Sequence, residues 1–252
     1  MPESTLRAER LGKRFGGLRA VADVSIEIRR GEIHAVIGPN GAGKSTLINL
    51  LSGELNASSG EIKLGATDIT ALAPDKRARA GIGRAFQKTT IFPRFSVHEN
   101  VRLAAQARSC APLRMFGGAF ADPDVQRRTA DAISRAGLAG RENIIANVLS
   151  HGEQRQLEIA MVLATDPAIV LLDEPLAGMG QAEARGIIGL IASLRECHAV
   201  LIVEHDMDAV FELADRLTVM QDGQVIASGL PQEVRRHPAV RAAYLGTHGD
   251  AA

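Results

Sequence analysis

The stretch Gly38-Pro-Asn-Gly-Ala-Gly-Lys-Ser-Thr46 constrains this chain more than any other, because the apolar run Ile33-His-Ala-Val-Ile37 precedes it and Leu47-Ile-Asn-Leu-Leu51 follows. That order predicts a strand, a glycine-rich loop and a helix. Glycines let backbone N–H groups turn inward around a phosphate chain, and the helix N-terminus adds its positive end. Lys44 can reach the β- and γ-phosphates of a nucleotide, and Ser45 can offer a hydroxyl to Mg²⁺. Gly38, Pro39, Asn40, Gly41, Ala42, Gly43, Lys44, Ser45 and Thr46 are therefore assigned to nucleotide binding.

A phosphate loop alone says only that a nucleotide binds. Further along, Leu149-Ser-His-Gly-Glu-Gln154 opens a helical pattern, and Ile169-Val-Leu-Leu-Asp-Glu174 reads as a buried parallel strand ending on two carboxylates. In open α/β sheets the C-terminal ends of the strands are where ligands collect. Asp173 is then placed for the Mg²⁺ shell, and Glu174 to orient or deprotonate an attacking water. His205 follows the run Val200-Leu-Ile-Val203 at a second strand end, where an imidazole can bond a γ-phosphate oxygen.

With these residues in this order, the chain resembles the ATP-binding-cassette family of transporter ATPases over nearly all of its length. The loop at 38–46 is similar to the family's Walker A motif, and Gln87 in Arg84-Ala-Phe-Gln87 to its Q-loop. Leu149–Gln154 is similar to the family signature, Ile169–Glu174 to Walker B, and His205 in Val203-Glu-His-Asp206 to the switch histidine. Within the family, Lys13-Arg-Phe-Gly-Gly-Leu-Arg-Ala-Val21, Leu149-Ser-His-Gly152 and Glu174-Pro-Leu-Ala-Gly-Met179 resemble the ATPase subunits of branched-chain amino-acid importers and of their urea and amide relatives.

The resemblance implies an α/β P-loop NTPase with a mainly parallel core sheet, an antiparallel β edge subdomain and a helical subdomain. It implies one nucleotide-binding domain over 1–252, with 1–87 and 166–252 as core and edge and 88–165 as the helical part. Phe15 would lie against adenine, and Gln87 would contact Mg²⁺ or the attacking water. Ser150 and the N–H of Gly152 would face ATP bound on a second cassette subunit, identical or not. Integral membrane permease subunits and, indirectly, a substrate-binding protein would be partners, placing the chain at the cytoplasmic face of the membrane. Two positions depart from the family pattern: Glu153 within the signature, and Gly180 where an aspartate often stands. Ser150 followed by Glu153 also reads as a capping box at a helix start.

Composition narrows the alternatives. The formal net charge is zero, so no chain-wide basic footprint for nucleic acid exists. A soluble cassette acting on nucleic acid would be expected to carry long coiled coils or tandem cassettes, and neither pattern is present. No apolar run approaches the roughly eighteen residues of a membrane span, and Met1–Arg10, with two glutamates and two arginines, does not read as a secretory leader. Cys110 and Cys197 lack metal-ligand spacing and read as reduced thiols.

Alternation over 5–30 predicts antiparallel strands, and Asp222-Gly223 a tight hairpin. Glu99–Gln106 and Asp124–Ala136 predict amphipathic helices separated by an irregular Ser109–Asp122. A turn is expected near Ala73-Pro-Asp75, a single final helix over Gln232–Leu245, and a frayed end at His248–Ala252.

Overall fold

A computed structural model describes residues 5–88, 90–108 and 122–245 of the chain. Its central sheet has six strands: Ile33–Ile37 (β3), Ile82–Ala85 (β6), Ile169–Asp173 (β7), Ala199–Val203 (β8), Arg216–Gln221 (β9) and Gln224–Gly229 (β10). They lie in the order β10-β9-β3-β8-β7-β6, all parallel except β10, which returns antiparallel on β9. β3, β7 and β8 are buried at every position. Continuous apolar runs of this kind suit a sheet covered on both faces.

Alternate residues of these strands feed two apolar layers. Val36, Leu171 and Leu201 point towards the helix Lys44–Ser52 (α1), whose Leu47, Ile48 and Leu51 pack with Leu6, Leu11 and Val24 of a second sheet. Ala35, Leu172 and Ile202 point the other way, into a layer with Leu157, Ile187, Ile191 and Val210. These come from the helices His151–Ala164 (α5), Gln181–Leu194 (α6) and Met207–Leu213 (α7). The register pairs Val203 with both Val36 and Asp173, so β3, β7 and β8 end at one level and deliver their following loops to one edge.

The second sheet is antiparallel, as the alternation predicts. It orders Leu6–Phe15 (β1), Leu18–Ile28 (β2), Ser59–Leu64 (β4) and Thr67–Asp68 (β5) as β2-β1-β4-β5. Val97–Arg108 (α3), Pro123–Arg135 (α4) and α5 pack on one another. The hairpin at 222–223 has both central residues in the left-handed region, φ 50° and 78°, the signature of a type I′ turn.

Two expectations are corrected. Ala73-Pro-Asp75 is not a free turn but the start of the helix Pro74–Ala80 (α2), with proline in its first turn, where the missing N–H is harmless, and Asp75 beside the positive end. Its buried Arg77 donates to the carbonyls of Leu50 and Leu51, satisfying the C-terminal end of α1. The final helix is two, Pro231–Arg236 (α8) and Pro238–Leu245 (α9). Pro238 cannot continue the ladder and holds His237 at ψ 127°, outside helical geometry. Residues 109–121, most of the expected irregular stretch, and His248–Ala252 lie outside the described residues, as does Cys110.

Candidate nucleotide site

The phosphate loop enters α1 through Gly43, whose φ of 99° and position 2.4 Å from Ala20 O for any added Cβ leave no room for a side chain. The first intrahelical bond runs from Leu47 N–H to Gly43 O at 2.8 Å. The amides of Gly43, Lys44, Ser45 and Thr46 therefore have no acceptor among the described residues, and the first turn of α1 carries no acid. A ring of free donors at a helix N-terminus fits a phosphate chain. Lys44 folds over its own loop, donating from Nζ to Gly38 O at 2.7 Å and Pro39 O at 3.1 Å. Burial pulls its pKa down, and the nearby carboxylates of Glu174 and Asp173 oppose that shift.

This loop lines a cleft of about 470 Å³ that also meets Phe15, Leu18, Glu174 and Gly223. Phe15 and Leu18 face each other across β1 and β2 and remain 47% and 67% exposed. Open apolar groups beside a phosphate cradle form a ledge on which a base can stack.

At the end of β7, Asp173 is buried and accepts from the Arg84 guanidinium at 3.0 Å. Burial raises its pKa and Arg84 counters the rise. Glu174 stands at φ 46°, a left-handed backbone for a non-glycine residue, fixed by its N–H on Val203 O at 2.9 Å. Such strain persists where neighbours over-determine it. Gln87, expected from the resemblance, donates from Nε2 to Glu174 Oε2 at 2.7 Å, so the structure joins these two residues directly. The His205 ring is largely exposed, 3.8 Å from the buried Glu204 carboxylate. Glu204 in turn accepts from the N–H groups of Leu176 and His205, and burial pushes its carboxyl upward.

No cluster of three or more His, Cys, Asp or Glu side chains suited to a metal exists among the described residues. Ser45, Gln87 and Asp173 offer one hydroxyl, one amide oxygen and one carboxylate. That sparse oxygen set fits Mg²⁺, which keeps waters and takes phosphate oxygens rather than a full protein cage.

The signature begins as its sequence predicts. Ser150 caps α5, its Oγ accepting from Glu153 N–H at 3.3 Å while Glu153 Oε2 accepts from Ser150 N–H at 2.9 Å. Glu153 is also paired with Arg141, so its charge is used within the chain; the Ser150 N–H and then Arg141 hold its pKa down. Gly152 departs from expectation. Its N–H is not open but donates at 3.2 Å to Glu183 Oε1 in the first turn of α6. Gly180, at φ −73° and ψ 159°, is the N-cap of α6, and a Cβ there would meet nothing within 4 Å.

Arg155, Arg84 and Glu204 escape assignment from sequence. Arg155 donates to the carbonyls of Phe86, Asp173, Glu174 and Pro175 and to the Glu158 carboxylate. Its signal is a cation on the buried face of α5. Arg84 reaches Asn49 and Ser52 of α1 as well as Asp173, bracing the loop helix against β7.

A strand, a glycine loop whose amides have no acceptor among the described residues, and two carboxylates at the C-terminal end of a parallel strand one removed in the sheet define a nucleotide-binding protein of the P-loop class. The family model described as ABC transporter matches residues 21–177, and one described as Branched-chain amino acid ATP-binding cassette transporter matches 224–250. The chain belongs to the ABC transporter ATPase family. It is 39% identical over 255 residues to the high-affinity branched-chain amino acid transport ATP-binding protein LivG of Salmonella typhimurium, covering 98% of this chain and 99% of that one. Among solved structures, an ATP-binding cassette of an ABC transporter in its ADP conformation superposes with a TM-score of 0.85 at 32% identity, covering 98% of this chain and all of the other. Another cassette, solved as a dimer in a post-hydrolysis state with ADP and Pi, gives 0.75 at 25% identity over 90% of this chain and 98% of that one.

Proposed function

We propose that ATP hydrolysis by this cassette energises an importer of branched-chain or other amino acids, acting as a dimer with a second cassette beneath membrane-embedded permease subunits. The likeness to the Salmonella protein supports the substrate class, and the dimeric cassette supports the pairing. No helix among the described residues is long and apolar enough to cross a membrane; in this reading attachment runs through the permease subunits.

In this reading Phe15 carries the adenine, and the 38–46 amides with Lys44 hold the phosphates. Ser45, Gln87 and Asp173 hold Mg²⁺, which when bound neutralises charge on the phosphate oxygens. Glu174 orients and deprotonates the attacking water, with Gln87 fixing its carboxylate, and His205 bonds the γ-phosphate. These groups act by position and charge rather than by covalent chemistry. Ser150 and Gly152 face the nucleotide of the partner subunit, which requires Glu183 to release the Gly152 amide. Residues 88–165 act as the unit that carries the signature and the permease contact.

The observation that carries the proposal is an apolar patch a few residues beyond Gln87 in the chain. Phe92 and Phe95 stack at 5.5 Å and stay exposed, and Ile145 and Val148 are exposed beside them. Ser96 bridges Ile145, while Ala146 and Asn147 N–H groups bond Phe95 and Pro93, so the two segments form one surface. Exposed aromatic anchors at this spot suit a protein partner.

Reconstitution with its permease tests the reading. Phe92→Asp with Phe95→Asp should abolish ATP-driven leucine uptake and leave the ATPase of the free subunit within about twofold, since neither ring touches the nucleotide cleft. Undiminished uptake would remove the patch from coupling, and uptake of urea but not leucine would overturn the substrate class.

A further inference from the structure

The antiparallel sheet carries a second cleft, of about 770 Å³, walled by β1, β2 and the start of β4. Arg10, Lys13, Arg14 and Arg19 line it against one carboxylate, Asp23. In a chain of zero net charge this is a local excess of positive charge. None of the three arginines makes an ion pair with any described residue, and Lys13 is bound only to the Asn56 carbonyl, at 2.7 Å, with its Nζ over the Phe15 ring.

The strand register sharpens the point. Arg14 and Arg19 stand directly opposite each other across the β1–β2 pair. Like charges in that relation destabilise a sheet. Arg10 lies in a bulge where the register shifts between Ala8 and Leu11, with φ at 48°, and Asp23 stands at φ 58° on the neighbouring strand. Stability of the hairpin gives no reason to gather unpaired guanidinium groups here. An anion in the cleft does, because each guanidinium presents a planar fork that matches phosphate oxygens. The hydroxyls of Ser58 and Ser59 add polar groups to the same walls.

We propose that this cleft is a second anion site, distinct from the 38–46 cradle, and that it takes a small soluble multivalent phosphate such as a tri- or tetraphosphate chain. A recess of this volume falls within the range of pockets for small ligands, about 300–1,000 Å³, whereas a membrane surface would meet a flat or convex face. Arg19 also lines the nucleotide cleft, so the two sites share a wall.

The test uses the full chain saturated with Mg–ADP, which fills the cradle, titrated with inorganic tripolyphosphate by calorimetry. One further site should appear, with orthophosphate binding at least tenfold more weakly. Arg10→Gln with Arg14→Gln should weaken tripolyphosphate at least tenfold and leave ADP affinity unchanged. Without ligand the double variant should melt no lower than the parent, because a like-charge contact has been relieved, and tripolyphosphate should raise the melting temperature of the parent alone. Absence of a second site, or equal binding by the double variant, would overturn the proposal. So would binding to phosphatidylglycerol vesicles that tripolyphosphate cannot displace.

Discussion

Replacing Arg155 by methionine tests how the site is held together. The side chain makes five hydrogen bonds, to four main-chain carbonyls and to Glu158, and both partners of that ion pair are buried. Methionine keeps bulk but removes every donor. Glu158, left with the Thr90 N–H at 2.6 Å, becomes an uncompensated buried carboxylate. Breaking a buried pair from one side costs about 3–5 kcal/mol, a range that covers the ion pair alone and so sets the smaller part of the loss. A domain holds roughly 5–15 kcal/mol in total. With a urea slope of about 2–3 kcal/mol per molar, the unfolding midpoint should drop by about 1–2.5 M from the ion pair alone. Adding Glu158→Gln should recover part of the loss, since it removes the stranded charge. A midpoint shift below about 0.3 M in Arg155→Met, measured by circular dichroism, would show that the carbonyls at 86 and 173–175 are positioned without it.

Glu174→Gln should bind ATP but lose about two to four decades of turnover, and should accumulate as an ATP-bound dimer on size exclusion with Mg²⁺; near-normal hydrolysis would remove Glu174 from the reaction. Glu183→Gln takes a formal charge from the Gly152 amide and should tighten ATP-driven dimerisation several-fold by sedimentation, whereas unchanged association would mean that the carboxylate offers the partner's phosphate no competition. Burial pulls the His34 pKa down from 6.5 to about 4, so the unfolded chain binds the extra proton between those values. Stability from this residue is complete above pH 6.5 and is lost as pH falls towards 4, by up to about 3 kcal/mol; His34→Gln should flatten that slope in urea melts, and an unaltered slope would assign it elsewhere.

The phosphate loop and the strand ending in Asp173 were legible because each is contiguous: the signal and the structure occupy the same few residues. The hairpin at 222–223 was legible for the same reason. Pro74 misled because proline suits both a turn and the first turn of a helix, and only the packing of Arg77 beneath α1 decides between them. His237-Pro238 broke a helix that apolar spacing alone would have continued. Arg155 and Glu183 were hidden by distance along the chain. Arg155 is bound to carbonyls at 86 and 173–175, and Glu183 meets an amide 31 residues away. No local pattern records a donor's choice of a remote main-chain acceptor. The cleft at Arg14 and Arg19 needed the strand register, which places the two side chains opposite each other.

The turn between β9 and β10 touches more than its own hairpin. Gly223 N–H donates to Ala42 O at 3.1 Å, and Gly223 O accepts from Ala22 N–H at 2.8 Å. An added Cβ at Gly223 would stand 2.9 Å from Ala20 O. One residue thus splints the phosphate loop to the antiparallel sheet. Hairpin tips are ordinarily where a chain accepts a tag, a graft or a new pair of termini. This tip is closed to all three: lengthening it by a single residue would slide Gly223 out of reach of Ala42 and set the loop adrift from its support. Circular permutants and inserted reporters of this protein belong elsewhere on its surface.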